Sequence, residues 1–174
     1  MVLRLKRQTN GGTEMTKQET YDYLIGSGIP YEVTEHAAVF NMEELNAVEL
    51  PCPDCVAKNL FVRDDKKRNY YLITVKGDKR VELKAFQQAF GTRKLSFASP
   101  DDLRSILGLI PGEVTPLGIL NDEERKVIFY FDAAFLGGPA GVHPNDNTAT
   151  VWLKAEDLIR LIEDHGNEVH VERL

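Results

Sequence analysis

The sequence VAKNLFVRDDKKRNYYLITV, residues 56–75, gives a clear secondary-structure signal. Its two apolar ends, Val56–Val62 and Tyr70–Val75, are rich in the β-branched and aromatic residues that favour strands. The polar residues 64–69 between them are typical of a turn. The stretch therefore predicts a hairpin of two antiparallel strands.

The sequence on both sides of this hairpin predicts further helices and strands. Thr16 and Glu19 form a capping-box pattern at the start of a helix. The apolar face of that helix is expected to hold Tyr21, Leu24 and Ile25. The remaining predicted helices are 41–45, 83–90, 99–108 and 155–164, and the remaining predicted strands are 29–33, 116–120, 126–131, 148–153 and 169–171.

These elements predict the class of fold. Strands outnumber helices and several neighbouring pairs look like hairpins, which favours an α+β fold with a mixed, mostly antiparallel sheet. No repeat or linker divides the chain, so residues 15–174 are predicted to form a single domain. Residues 1–14 contain the turn-forming run 10–13 and are predicted to be a flexible tail.

The composition is that of an ordinary globular protein. Of the 174 residues, 43% are hydrophobic and 28% are charged, which excludes a disordered chain. The longest stretch without a charged residue, 133–145, contains three glycines and two prolines, so it is too short and too broken to cross a membrane. No apolar signal segment follows the first residues, and only two cysteines occur, so a cytoplasmic protein without a disulfide framework is expected.

The charge is unevenly distributed along the chain. The net charge is −6, but residues 58–94 contain eleven basic and four acidic residues, so this window carries +7 and the remainder carries −13. Such a basic zone on an acidic protein fits the recognition of a polyanion at one face, and it equally fits a solvated, β-rich surface. Charge alone leaves both interpretations open.

Cys52 and Cys55 form a C-x-x-C motif with three interpretations. Zinc requires about four ligands, and the chain has neither a second C-x-x-C nor paired histidines at zinc-finger spacing; His36 and His143 lie far away in sequence. A redox pair is expected at a strand-to-helix junction, whereas a strand is predicted after Cys55. We expect an ordinary loop with no metal. No cofactor is expected either, because the nucleotide-binding and nucleophile-elbow motifs are absent.

Three segments contain candidate functional residues. Lys58 stands at the start of an apolar strand, where a lysine either reaches solvent or faces a cleft that requires a positive charge. The segment Gly112–Pro116 is either a plain connector or a loop whose backbone N–H groups point at a ligand. Residues 137–145 are rich in glycine and are predicted to be a flexible loop that carries His143, a candidate for function.

Taken together, these segments resemble the YbaK/ProX family of aminoacyl-tRNA-editing domains, which also occur as insertions in bacterial prolyl-tRNA synthetases. The matching blocks are Lys58–Asp64, Gly112–Asp122, and His143-Pro144 followed by residues 147–150. The resemblance covers about residues 16–174 and is greatest to the ProX-like branch. It implies a mixed sheet that is partly barrel-like and surrounded by helices.

The resemblance also implies a function. It points to an aminoacyl-tRNA deacylase that acts in trans on mischarged tRNA(Pro), with alanyl-tRNA(Pro) as the expected substrate. The alternatives are a cysteinyl-tRNA(Pro) deacylase and a catalytically silent module that senses tRNA or an amino acid. The expected partners are the acceptor end of tRNA(Pro) and prolyl-tRNA synthetase, with no membrane involved.

The same resemblance implies roles for individual residues. Lys58 would hold the negatively charged 3′ end of the tRNA, and His143 would orient the aminoacyl group. Gly112 belongs to a loop that would donate backbone hydrogen bonds to the developing oxyanion. These three residues form the expected catalytic set. The expected substrate-binding residues are Thr115, Pro116, Asn59 and Asn147.

Overall fold

The computed structural model describes residues 8–9 and 12–174, with side chains from Glu14 onward. The strands are β1 (Gln8–Thr9), β2 (Gly12–Thr13), β3 (Glu32–Glu35), β4 (Ala57–Asp64), β5 (Tyr70–Lys76), β6 (Leu95–Phe97), β7 (Val127–Asp132), β8 (Pro139–Val142), β9 (Ala149–Lys154) and β10 (Val169–Glu172). The helices are α1 (Lys17–Gly26), α2 (Met42–Asn46), α3 (Leu83–Phe90), α4 (Pro100–Asp102), which continues as a π-helical turn over Leu103–Leu107, and α5 (Ala155–His165).

The strands form two larger sheets and one short hairpin. The five-stranded sheet has the order β10-β7-β5-β4-β6, in which β4 is antiparallel to both neighbours while β5, β7 and β10 are parallel. The three-stranded sheet has the order β3-β9-β8 and is antiparallel throughout. The predicted α+β class with a mixed, mostly antiparallel sheet is therefore confirmed, and the described strands do not close into a full barrel.

The hairpin predicted at residues 56–75 is present as β4 and β5. Leu60 pairs with Ile73 in the middle of the ladder. The turn is held by the buried carboxylate of Asp64, which accepts hydrogen bonds from the backbone N–H groups of Lys66, Arg68 and Asn69. One buried side chain thus satisfies the polar backbone groups of the turn.

The core lies on both faces of the five-stranded sheet. On one face, side chains of β5 and β7 pack against α1 and α5, with Phe129, Phe131 and Leu158 fully buried. On the other face, Tyr130 packs against Phe86 of α3. Neighbouring residues of one strand enter opposite clusters because side chains alternate across a sheet.

Several local predictions differ from the structure. Residues 116–120, predicted as a strand, belong to a 3-10 helix over Pro116–Asn121, because Thr115 caps the turn and Pro116 occupies its first position. Residues 139–142, predicted within a flexible loop, form β8 along β9. The capping box at Thr16 is confirmed, but Ile25 is 64% exposed, so the predicted apolar face is wrong at that residue.

The structure describes only part of the predicted N-terminal tail. Of the predicted tail, residues 1–7, 10 and 11 lie outside the described residues, while β1 and β2 pair as antiparallel strands. None of the helices in the described part of the chain is long and apolar enough to span a bilayer.

Candidate functional site

The two larger sheets meet at an isolated parallel bridge between Val56 and Gly141. Lys58 lies two residues after Val56, and His143 lies two residues after Gly141. On β4, the alternation of side chains assigns Lys58 to the same face as Val56, whereas His143 follows the end of β8 and is oriented by its own hydrogen bond to Ala149. Val56 packs with Trp152 on that face. The bridge therefore brings two of the three predicted catalytic residues to the same junction.

Lys58 is half-buried on β4 and lacks a counter-charge. In the part of the chain with described side chains, residues 14–174, its ammonium group makes no hydrogen bond and no ion pair, whereas Lys17 and Lys79 each pair with a carboxylate. Withdrawing a cation from water without a partner costs free energy. Lys58 is thus available to bind an anionic ligand and is not part of an internal salt bridge in the described part of the chain.

His143 is held in one orientation and one protonation state. Its Nδ1–H donates a hydrogen bond to the carbonyl oxygen of Ala149 at 3.0 Å, which leaves Nε2 as an acceptor. Burial lowers the pKa of His143, and the nearby His36 imidazole lowers it further, against the opposing effect of the Ala149 carbonyl. The imidazole is therefore neutral at pH 7.

The loop Gly112–Pro116 is tied to both strands that enter the junction. Asn59 Nδ2 donates to the carbonyl oxygen of Val114 at 3.1 Å, and Thr115 Oγ1 donates to the carbonyl oxygen of His143 at 2.6 Å. At the other end of the loop, Gly112 packs against the backbone of Phe40. These contacts tie the loop that contains the third predicted catalytic residue to β4 and to the backbone of His143.

The backbone of this loop offers hydrogen-bond donors. Among the described residues, the N–H groups of Gly112, Val114 and Thr115 donate to no protein acceptor. Thr115 is fully buried, and buried N–H groups are rarely left without an acceptor in a folded protein. Such groups can stabilise an oxyanion where a ligand enters the loop.

Four residues that were predicted to bind substrate make internal contacts here. Both polar ends of the Asn59 side chain are engaged, since Oδ1 accepts from Thr74 Oγ1 at 2.7 Å. Asn147 Nδ2 donates to the carbonyl oxygen of Val39 at 2.9 Å. Thr115 and Pro116 begin the 3-10 helix. These contacts show how the four residues position the loop and the 36–40 segment, and their contact with substrate stays a prediction.

His36 and Phe40 also lie near these residues, although the sequence offered His36 only as a distant zinc ligand and did not mark Phe40. The rings of His36 and His143 meet edge to face, with centroids 6.3 Å apart. His36 is itself fixed, because Nδ1–H donates to the Ala37 carbonyl oxygen and Nε2 lies 3.0 Å from Thr150 Oγ1. No local motif marks these residues, since each reaches the site through a contact with a part of the chain about 70 to 110 residues away.

Two carboxylates add negative charge beside the histidines. Asp146 is one of the charges that act on the His143 imidazole. Burial raises the pKa of Glu113, and the charge of Asp146 raises it further. Glu113, Asp146 and the neutral imidazole of His143 therefore influence one another electrostatically.

The basic window divides into separate parts in the fold. The exposed residues Lys66, Lys67 and Arg68 lie in the β4–β5 turn, and Arg93 is held to that turn by an ion pair with Asp65. At about 3.3 Å per residue, this turn lies about 20 Å along β4 from Lys58. We call the basic residues of this region the turn cluster: Lys66, Lys67, Arg68, Arg93 and Lys94.

Residues 36–161 match a known family, described as the aminoacyl-tRNA editing domain. The chain belongs to this family. As an editing domain it is an aminoacyl-tRNA hydrolase. The predicted resemblance is thereby confirmed at the level of the family and of the reaction class.

Relatives of this editing domain cover most of its length. It is 43% identical to the prolyl-tRNA editing protein ProX of Acetoanaerobium sticklandii, over 80% of this chain and 85% of that protein. It is 35% identical to prolyl-tRNA synthetase associated domain-containing protein 1 of Mus musculus, over 90% of this chain and 95% of that protein. A crystal structure described as a candidate trans-editing enzyme for prolyl-tRNA synthetase shares the fold, with a TM-score of 0.67, 22% identity and coverage of 91% and 96% of the two chains.

The two cysteines of this editing domain are joined to each other. Cys52 and Cys55 form a disulfide across the 3-10 turn Pro53–Cys55, where the Cα atoms lie 5.3 Å apart. The expectation of an ordinary loop did not include this bond. In the described part of the chain, no three histidine, cysteine or acidic residues are grouped in a way that would hold a metal ion.

We expect the double substitution Cys52→Ser with Cys55→Ser to leave deacylation within about twofold of wild type. A bond that closes so short a loop restricts the unfolded chain little, so we expect the unfolding free energy to fall by about 2 kcal/mol or less. Deacylation rates, denaturant unfolding and metal analysis of protein purified without chelator provide the measurements. Loss of a bound metal together with unfolding in the double variant would contradict this expectation.

Proposed function

We propose that the protein removes alanine from mischarged tRNA(Pro) in trans, as a cytoplasmic deacylase. The observation that supports this most directly is the bridge between Val56 and Gly141, which brings the chain at the half-buried, unpaired Lys58 and the chain at the neutral His143 to one junction. The loop with free backbone N–H donors is tied to His143 through Thr115. In such a group of residues, the cation complements the phosphate of an aminoacyl-tRNA and the N–H donors complement its ester carbonyl. The relatives whose names refer to prolyl-tRNA support the choice of tRNA.

The proposed mechanism needs no protein nucleophile. An aminoacyl ester is intrinsically labile, and the neighbouring ribose 2′-hydroxyl assists the attacking water. Lys58 binds the terminal phosphate and so fixes the ester in the site. The N–H groups of Gly112 and Val114 stabilise the oxyanion that forms when water adds to the ester carbonyl. The tetrahedral intermediate then breaks its bond to the ribose oxygen, which takes up the proton released by the water and leaves as a hydroxyl, while the amino acid leaves as the free acid. His143 Nε2 accepts a hydrogen bond from the aminoacyl amine or the water, because its Nδ1–H is already committed to Ala149.

Discrimination against proline follows from a pocket of fixed size. A synthetase active site cannot strongly reject an amino acid smaller than its own, so a second site hydrolyses whatever fits and excludes the larger correct residue. In the proposed site, the hydrogen bonds of Asn59 and Thr115 hold the loop in place. A loop held from two sides does not retreat easily to admit a bulkier aminoacyl group.

The proposed partners are the acceptor end of tRNA(Pro) and prolyl-tRNA synthetase, which produces the mischarged substrate. The turn cluster, about 20 Å from Lys58, is a second region of positive charge that suits the phosphates of the acceptor stem. Contacts of this kind are electrostatic, so affinity is expected to fall with rising salt concentration.

The test is a deacylation assay on alanyl-, cysteinyl- and prolyl-tRNA(Pro). We expect alanyl-tRNA(Pro) to be hydrolysed and prolyl-tRNA(Pro) to be spared. Faster turnover of cysteinyl-tRNA(Pro) would replace alanine by cysteine as the substrate. Turnover of none of the three would leave a silent binding module as the better description.

We expect His143 to give the enzyme an acid limit below pH 6.5. The pKa of His143 is lowered, so the Nε2 lone pair persists as the pH falls through 6.5 and is lost only in more acidic solution, when the ring becomes protonated. His143→Asn retains a donor toward Ala149 but has no Nε2, so kcat/KM should drop by about tenfold and lose this acid limb. The measurement is kcat/KM between pH 5 and 8.

The matched control is His170→Asn, because His170 lies on β10 and pairs with Glu168 away from the junction. This variant should keep the wild-type profile. An inflection above pH 6.5 in the wild-type enzyme, or an unchanged profile in His143→Asn, would remove His143 from the mechanism.

A further inference from the structure

An exposed aromatic side chain stands beside the catalytic loop. Phe40 is 56% exposed, although most phenylalanines of the described chain are buried. Its own backbone is the surface against which Gly112 packs: a Cβ on Gly112 would lie 3.0 Å from the Phe40 carbonyl oxygen. Ile110, two residues before Gly112 in the sequence, is also exposed. Phe40 and Ile110 are thus two exposed apolar side chains near the first residue of the loop.

The backbone that carries Phe40 is held on three sides. The N–H of Phe40 donates to a Glu44 carboxylate oxygen at 2.8 Å. The preceding residue, Val39, is buried and exchanges two hydrogen bonds with Asn147. An exposed ring on a fixed backbone loses little conformational freedom when a ligand covers it, so it is suited to binding rather than to core packing.

The chemistry of the neighbouring site indicates which ligand covers the ring. Val39 packs in the same cluster as Val56, and Val56 precedes Lys58 by two residues on the same face. A flat apolar ring beside a loop of free N–H donors, with an unpaired cation on the strand that follows Val56, matches single-stranded nucleic acid, whose bases stack on aromatic rings and whose phosphates require a cation. A hydrophobic protein segment would use the ring but not the cation.

We propose that Phe40 is the platform on which a base at the 3′ end of the substrate stacks. The inference rests on the proposed function, because it requires that an aminoacyl-tRNA enters this site. Stacking on Phe40 and phosphate binding at Lys58 hold the terminal nucleotide at two points, and the ester between ribose and amino acid then lies at the loop. Phe40 binds substrate and takes no part in the bond-breaking step.

The test measures stacking directly with an acceptor-stem RNA that carries no amino acid and has 2-aminopurine as its 3′-terminal base. Stacking quenches the fluorescence of this base, so wild-type protein should quench it on binding. Phe40→Ala should abolish the quenching and raise the Kd by about 5- to 150-fold, the range found when a single stacking aromatic is removed. Phe40→Trp should restore both signals. In deacylation, KM should rise in Phe40→Ala while kcat changes little.

The matched control is Phe97→Ala. Phe97 is 63% exposed and lies on β6, opposite Val62 in the half of β4 away from Lys58. This variant should bind and quench like wild type. Equal losses in both variants, or unchanged quenching in Phe40→Ala, would overturn the assignment. If quenching depends on Phe40 but the protein deacylates none of the three aminoacyl-tRNAs, base stacking on Phe40 is supported and the proposed activity is rejected. Failure of the stacking proposal can therefore be told apart from failure of the proposed function.

Discussion

Lys58→Ala is expected to lower deacylation of alanyl-tRNA(Pro) by at least about 100-fold and to leave the fold intact. The substitution removes the cation that fixes the ester, and losing one charged or hydrogen-bonding contact of this kind costs enzymes about 100- to 1,000-fold in rate. Lys58 has no partner among the described side chains, so no internal ion pair is broken. The melting temperature should therefore stay within about 2 °C of wild type.

Two further variants separate charge from packing. Lys58→Met retains most of the aliphatic stem and should be as inactive as Lys58→Ala. Lys76→Ala is the matched control, because Lys76 is also half-buried but pairs with Ala57 and so faces the other side of the sheet. We expect its activity to remain within about threefold of wild type. Full activity in Lys58→Ala, measured on the same tRNA preparation, would remove the site assignment.

Gly112→Ala is expected to impair both stability and activity. Gly112 has a φ of +90°, a conformation that costs other residues about 1–3 kcal/mol. The added methyl group would also lie 3.0 Å from the carbonyl oxygen and 3.3 Å from the Cα of Phe40, and backbone atoms cannot move aside cheaply. The loop must shift, and a displacement of about 1 Å can reduce the rate of an enzyme by about 100-fold. Denaturant unfolding and kcat/KM on alanyl-tRNA(Pro) measure the two effects.

Gly137→Ala separates backbone strain from the collision with Phe40. Gly137 has a similar φ of +83°, but nothing lies within 4 Å of a Cβ added there. This control should lose stability from the backbone alone and retain nearly full activity. If Gly112→Ala proved as active as Gly137→Ala, the position of the loop would not matter for catalysis.

Helices, strands and caps could be predicted where neighbouring residues alone specify them. The β4–β5 hairpin, the capping box at Thr16 and the helix that ends at Gly91 depend on residues within one turn or one strand of each other. The same holds for the candidate segments, since Lys58, Gly112–Pro116 and His143 each stand out by residue type in their own surroundings.

Predictions failed where distant contacts outweighed local preference. The apolar run after Pro116 has the composition of a strand but forms a buried 3-10 helix, because Thr115 caps it and binds the His143 carbonyl 28 residues away. Pro139–Val142 contains glycine and proline and was expected to be a loop, yet it is a strand because β9 offers it a partner. Propensity is a weak guide when a neighbouring element supplies the hydrogen bonds.

The class of fold, the family and the residue types of the candidate site could be predicted from the amino-acid sequence, because periodicity, caps and short ordered blocks are properties of neighbouring residues. The bridge between Val56 and Gly141, which brings Lys58 and His143 to one junction, could be read only from the folded chain. The folded chain also brings His36 against His143 and Phe40 against Gly112. A contact across 85 residues depends on how two sheets pack together, and no single stretch of the chain encodes that packing.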